Sequence, residues 1–346
     1  MSPLAPEVAA FLGHGPTAEQ AAAIAMPLEP FVLVAGAGSG KTTVMAARVL
    51  QLALVEGVPP GNVLCITFTN KATENLAERI RAALAVVADH RAPSGERLVA
   101  EGDEPLVTNY HRFGKEILDR HGMLVGIEPG QRILTATQRV ELCGQVLDRM
   151  GFPEAGLRTH GTLVGEILSL ADQAADHLVE PDAIVAFCQE RLGELAALRP
   201  TKKVEELAEV YRRRAELARG VEAFRELKRE RGVIDFGDQI DLALRIVREH
   251  PDVAAEYRDR FRVVLLDEYQ DTNVAQARLL HEIFGAGHPV TAVGDPDQNI
   301  YAWRGASLHN LLEFPRMFRR ADGEESARLP LATNFRSGSA ILAAAD

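Results

Sequence analysis

The stretch PFVLVAGAGSGKTTVMAARVLQLAL, Pro30 to Leu54, constrains the fold more than any other part of the chain. A short apolar run, Phe31 to Val34, meets a glycine-rich turn, and apolar residues then recur at helical spacing from Thr43 onward. Strand, tight glycine turn and helix in this order read as a phosphate-binding loop, whose pattern asks for Gly, four residues, then Gly-Lys-Ser/Thr. Gly40, Lys41 and Thr42 fit, while Ala35 stands at the leading glycine position. Glycine lets successive N–H groups, here of Ala37, Gly38, Ser39 and Gly40, turn inward around phosphate oxygens beside a helix N-terminus. Lys41 then reaches the β- and γ-phosphates, Thr42 ligates Mg2+, and Thr43 lies beside the nucleotide. The plainer reading is a glycine turn that caps a helix.

The same unit recurs. NVLCITFTNKATENLAERIRAAL and EPLVTNYHRFGKEILDRHG each run from an apolar stretch through polar residues into a helix, which argues for a parallel α/β sheet with helices on both faces. VVLLDEYQDT drives four apolar residues into Asp267 and Glu268. In a buried parallel strand the acids fall at the carboxyl edge, where open α/β sheets bind ligands. A solvated acidic turn is the alternative. Given the phosphate loop, Asp267 is suited to hold the metal, through water, and Glu268 to accept a proton from an attacking water.

VGDPDQ ends another apolar strand, and Gln298 is a candidate to sense the γ-phosphate or position water, although Gly-Asp-Pro-Asp is also ordinary turn sequence. Tyr301 and Trp303 are two apart, so on extended chain they face the same way beside Arg304. They read either as a platform for stacking bases or as hydrophobic packing.

From Glu116 to Phe224 the pattern turns helical, with Pro and Gly breaks and no convincing strand, which reads as a helical insertion into the α/β domain. Between Thr201 and Arg231 ten Lys or Arg face seven Asp or Glu; such mixed charge marks a long solvated helix more often than a nucleic-acid face. The net charge of −11 gives no overall basic footprint, and a local single-strand groove remains compatible with it. Cys65, Cys143 and Cys188 make neither a metal spacing nor a disulfide framework. The sequence has no apolar run of membrane-spanning length and opens without a signal-peptide pattern, so a cytoplasmic protein is expected, with no membrane partner.

In order, PTAEQAAAI, AGAGSGKTT, CITFTNKATENLAERI, TNYHRF, IDFGD, VVLLDEYQDT, VGDPDQNIYAWRG and ATNFRS resemble the motifs of superfamily 1 DNA helicases of the UvrD/Rep/PcrA type, from about Thr17 to the end. The resemblance implies a RecA-like P-loop lobe with ATP and Mg2+ as cofactors and DNA repair among its settings. Its substrate would be single-stranded DNA and the duplex junction ahead, with 3′-to-5′ translocation. By the same resemblance Gln20 hydrogen-bonds the adenine, Gln270 and Gln298 couple nucleotide to DNA, and Arg336 serves as an arginine finger. Phe68, Asn70, Tyr110, His111, Tyr301, Trp303 and Arg304 line the strand path, and the helical insertion is the accessory subdomain that contacts duplex.

Two departures stand out. Thr43 occupies a position where such helicases often carry arginine, and the chain stops at SAILAAAD, within a helical pattern. The expected division is 1–115 and 225–330 for the first motor lobe, 116–224 for the insertion, and 331–346 for the start of a second lobe whose remainder is missing. Weak activity in isolation follows. The alternatives are an ATP- and DNA-binding regulatory module with little hydrolysis, or the motor of a helicase–nuclease subunit. Neither a loading partner nor the oligomeric state can be read from the sequence.

Overall fold

The computed structural model describes residues 3–13, 15–87, 100, 102–128, 130–155, 158–285, 287–300 and 305–338. In chain order the elements begin with α1 (Pro6–Leu12), α2 (Ala18–Ile24), β1 (Phe31–Ala35), α3 (Lys41–Leu54), β2 (Val63–Thr67) and α4 (Asn70–Ala85). There follow β3 (Leu106–Asn109), α5 (Tyr110–His121), β4 (Arg132–Ile133), α6 (Ala136–Arg149), α7 (His160–His177) and α8 (Pro181–Ala196). Then come α9 (Lys202–Glu230), β5 (Val233–Ile234), α10 (Phe236–Glu249) and α11 (Pro251–Arg260). The last are β6 (Val263–Leu266), α12 (Val274–Phe284), β7 (Val290–Gly294), α13 (Leu308–Met317) and β8 (Ala327–Leu331). Among the described residues no helix is long and apolar enough to cross a membrane.

Contacts divide the chain into one unit of residues 1–113 with 247–346 and a second of residues 114–246. The first is an α/β layer structure around a six-stranded sheet in the order β3-β2-β6-β7-β1-β8, in which every pairing is parallel. Strands β2 and β6 are buried along their whole length, which is why VLCIT and VVLL read as unbroken apolar runs rather than alternating ones. Register sets Val34 level with Gly294 and Ile66 level with Leu266, so the phosphate loop, the acidic pair and the VGDPDQ turn all leave from one carboxyl edge. β8 adds a sixth strand beside β1, joining Ala35 to Leu331.

One charged side chain runs through this core. Arg48 of α3 is buried, and its guanidinium donates to the carbonyls of Ala23, Ile24, Met26 and Pro27 and to Thr291 Oγ1, at 2.9–3.4 Å. It thereby satisfies carbonyls left over where α2 ends, and its planar head lies 4.9 Å from the Phe31 ring centre. Burial lowers its pKa to about 10, so it stays charged at neutral pH.

The second unit is helical. α6, α7 and α9 pack Leu142, Cys143, Val146, Val164, Ile167, Val221 and Phe224 into one core, with α8 alongside α9. Gly220 permits the close approach, since a Cβ there would sit 3.0 Å from Ile167 Cδ1. The sequence reading finds no strand between 116 and 224, whereas β4 pairs in parallel with β5 through two residues, Arg132–Val233 and Ile133–Ile234. A two-residue bridge is too short for any period to reveal. The IDFGD stretch follows it: Lys228 Nζ lies 3.0 Å from Asp235 and 2.6 Å from Asp238, and Arg139 Nε lies 3.1 Å from Asp235. Against the cost of burial, Lys228 and Arg139 hold Asp235 below its ordinary range. These ion pairs tie α6 and α9 to the start of α10.

Replacing Arg48 by Met, which fills similar length without donors, leaves buried carbonyls unpaired. The expected loss is on the order of 3 kcal/mol in denaturant unfolding, with Arg48→Lys recovering less than half. An unchanged midpoint in the Met variant contradicts this role.

Candidate nucleotide-binding site

The loop after β1 is held in shape by its own backbone. Gly38 and Gly40 have φ of 74° and 83°, the left-handed region that a side chain opposes. Ser39, buried, donates from Oγ to the Gly36 carbonyl at 2.8 Å. Gln20 sits beneath: its Oε1 accepts from the Thr17 N–H, so its amide nitrogen faces the loop, 3.5 Å from where a Cβ on Gly40 would stand. Lys41, Thr42 and Thr43 open α3, half-buried, and the Thr43 hydroxyl accepts from Arg79 Nη1 of α4 at 2.7 Å.

The segment after β8 closes on the same loop. The Phe335 N–H donates to the Gly38 carbonyl at 2.9 Å, and Asn334 Oδ1 accepts from the N–H groups of Arg336 and Ser337. A Cβ on Gly38 would fall 2.7 Å from both Arg336 Cβ and Asn334 Oδ1, so glycine is required here by contact as well as by φ. Arg336 is exposed.

Beyond β6 the acids converge. The Asp267 N–H donates to Ile66 O across the sheet, and Asp267 Oδ1 accepts from the Glu268 N–H at 3.0 Å. Glu268 has φ 50°, a strained conformation for a side-chain-bearing residue that persists only where its surroundings enforce it. Its Oε2 receives Lys41 Nζ at 3.4 Å and Gln270 Nε2 at 2.9 Å. Gln270 Oε1 accepts from the Asp295 N–H at 3.0 Å, and Asp295 in turn accepts from Gln298 Nε2. Asn299 Nδ2 donates to the Gln270 carbonyl at 2.8 Å. A relay therefore runs from the phosphate loop through Glu268 and Gln270 to the turn after β7.

Charge is unbalanced at its centre. Burial, and then Glu268, raise the Asp267 pKa to about 7; burial and Glu268 likewise raise Asp271 to about 6. Among the described residues Asp271 Oδ1 is buried with no hydrogen-bond partner. Lys41 partly offsets both acids.

Along the rest of the edge, Asn70 is exposed at the start of α4, and Phe68 and His111 are half-buried. Tyr110 corrects the sequence reading. It is buried, 2% exposed, with its hydroxyl 2.8 Å from Thr272 Oγ1, so its ring belongs to the core and offers no face for stacking. Tyr110, the first residue of α5, is buried against Thr272, while the neighbouring His111 is half-buried. Tyr301, Trp303 and Arg304 lie outside the described residues, as does the terminal stretch 339–346. Sequence reasoning overlooked Asp295, Asn299, Arg79 and Gly294. Only Gly294 carried a signal, a glycine ending an apolar strand; a Cβ on it would meet Gln270 Oε1 at 2.9 Å.

Residues 16–319 match the UvrD/REP helicase N-terminal domain. The ATP-dependent DNA helicase PcrA of Leuconostoc citreum is 31% identical over 336 residues, which cover 97% of this chain and 39% of the relative. UvrD1 of Mycobacterium leprae is 31% identical over 338 residues, 95% and 38% of the two chains. DNA helicase II of Haemophilus influenzae is 26% identical over 323 residues, 93% and 38% of the two. The chain thus spans about 39% of the length of a relative such as PcrA.

The raised Asp267 has a consequence for stability in the absence of nucleotide and metal. The fold favours its protonated form, so that contribution is present below about pH 4 and is lost as pH rises through about 7. Asp267→Asn cannot ionise. Compared by denaturant unfolding, the variant should match the parent below about pH 4 and exceed it by roughly 4 kcal/mol near about pH 8. A parallel pair of pH profiles refutes the shift.

Proposed function

This chain belongs to the UvrD/REP helicase N-terminal domain family, and from that premise we propose that it is the nucleotide-binding motor lobe of an ATP-dependent DNA helicase. The observation that carries the reading is the contact of Lys41 and Gln270 with the same Glu268 oxygen. A phosphate-binding lysine resting on the general base is poised to exchange partners. When triphosphate enters the loop, Lys41 moves to the β- and γ-phosphates and uncovers Glu268. Glu268 then accepts the proton of the attacking water while Gln270 keeps its carboxylate oriented. Gln298 donates to the Asp295 side chain, the Asp295 backbone N–H donates to Gln270, and through these two hydrogen bonds Gln298 transmits the change toward the NIYAWRG segment. Gln20 reads the base from below the loop, and Arg336, beside Gly38, supplies a second cation to the phosphates.

Mg2+ fits the donors present. Among the described residues no three His, Cys, Asp or Glu side chains are arranged to hold an ion by themselves. Mg2+ usually needs less, one or two protein oxygens completed by phosphates and water. Thr42 and Asp267 supply hard oxygens, and the unpartnered Asp271 oxygen marks a local excess of acceptors. Bound there with the nucleotide, Mg2+ would neutralise charge on the β- and γ-phosphates.

Single-stranded DNA is assigned to the carboxyl edge that carries Phe68, Asn70 and His111, together with Tyr301, Trp303 and Arg304 by their motif. The helical insertion, 116–224, which makes up most of the helical unit 114–246, is assigned to the accessory subdomain at the duplex junction. Stacking on aromatic rings and a backbone-tracking groove suit a strand read without sequence preference. The division into lobe segments 1–115 and 225–330 around an insertion of 116–224, with 331–346 opening a second lobe, belongs to the same proposal, as does a cytoplasmic location.

Lys41→Ala should weaken ATP binding by about 10-fold to 100-fold, the range of a lost charge-assisted phosphate contact. Glu268→Gln should retain ATP binding yet lower DNA-stimulated hydrolysis by at least about 100-fold. Nucleotide titration and phosphate release measure the two. Equal affinity in the alanine variant removes Lys41 from the phosphates; surviving turnover in the glutamine variant makes Glu268 structural.

A further inference from the structure

Asn109 ends β3, and its side chain is held from two sides. The Arg112 N–H donates to Asn109 Oδ1 at 3.0 Å, the capping contact of α5. A backbone N–H can only donate, so the amide oxygen must face Arg112 and the amide nitrogen must face away. That nitrogen donates to Asn70 Oδ1 at 2.8 Å. Asn70, exposed at the start of α4, therefore has its oxygen engaged and its two N–H donors turned outward.

We propose that Asn109 is a positioning residue that locks the Asn70 amide as a hydrogen-bond donor to phosphodiester oxygens of a single strand. Rotated by half a turn, the Asn70 amide would present its oxygen to a phosphate, acceptor against acceptor. The lock excludes that rotamer. Phosphodiester oxygens only accept and are the same on every nucleotide, so the contact carries no sequence information. The inference deepens the function proposed above, because it rests on Asn70 lining the strand path.

The test uses the 346-residue chain and a fluorescent oligothymidylate, followed by anisotropy. Asn109→Ser keeps an oxygen for the Arg112 N–H but is too short to reach Asn70. Asn109→Asp also keeps the cap, yet accepts from Asn70 and turns the Asn70 oxygen outward. Asn70→Ala should weaken binding by about 10-fold, Asn109→Ser by about 3-fold and Asn109→Asp by about 10-fold, the scale of one hydrogen bond. In the Asn70→Ala background Asn109→Ser should add less than about 1.5-fold, since neighbours acting through one contact are not additive. Thermal midpoints should stay within about 2 °C of the parent because the cap is kept. If Asn70→Ala weakens binding and Asn109→Ser does not, the lock is wrong and the strand path stands. If Asn109→Ser costs as much without Asn70 as with it, Asn109 acts on its own and the lock is again wrong. If the parent chain does not bind, or binds regardless of Asn70, the strand-path assignment falls and the inference falls with it.

Discussion

The carboxylates of Asp267, Glu268 and Asp271 and the ammonium of Lys41 meet at the carboxyl edge of the central sheet, and the arrangement of the edge follows from their imbalance of charge. Asp267 and Asp271 are buried, Glu268 lies between them in sequence, and Lys41 reaches only Glu268 directly. Burying like charges raises their pKa values or demands a cation. Here both responses are visible: Asp267 is pushed to about 7 and Asp271 to about 6, and an oxygen of Asp271 is left over. The phosphate loop leaves from the same edge, so the Mg2+–nucleotide of the proposed function would bring the missing positive charge to it.

The sheet makes this possible by geometry rather than by sequence proximity. Parallel pairing with level registers brings Ala35, Leu266 and Gly294 to one edge although they lie far apart along the chain. Gly294 leaves room for Gln270, which binds Glu268 with one end of its amide and the Asp295 backbone with the other. An amide is suited to that place because it donates and accepts across a single rigid plane. Thr272 extends the connection, accepting at its carbonyl from the Ser307 N–H and from Asn310, and meeting the Tyr110 hydroxyl with its side chain.

Much of this was legible from sequence, because a buried parallel strand and a glycine loop each impose a narrow choice of residues. VLCIT, VVLL and GSGKTT announce their elements, and the acids after Leu266 announce the edge. The parallel α/β class and the membership in the helicase family agree with that reading. What was illegible depends on long-range packing. Tyr110 reads like any aromatic beside a candidate groove, and only the fold turns it onto Thr272. Nothing in the sequence marks Arg48, yet it caps the end of α2 from inside the core. The left-handed turn at Glu268 has no local signal, since glycine or asparagine usually fills that region. The two-residue bridge of β4 with β5 lies below any periodicity.

Under the proposed function, a cation arriving with nucleotide completes the acidic edge. A metal at Asp267 must displace the proton that burial keeps there, so binding and proton release are linked. Isothermal titration of Mg2+–ATP into the chain at about pH 7, repeated in buffers of different ionisation enthalpy, counts that proton directly. Release of about half a proton per site is expected, the protonated fraction of a group whose pKa is about 7, and Asp267→Asn should abolish it. Tight binding of Mg2+–ATP with no proton released, or with the same release in the asparagine variant, would contradict it.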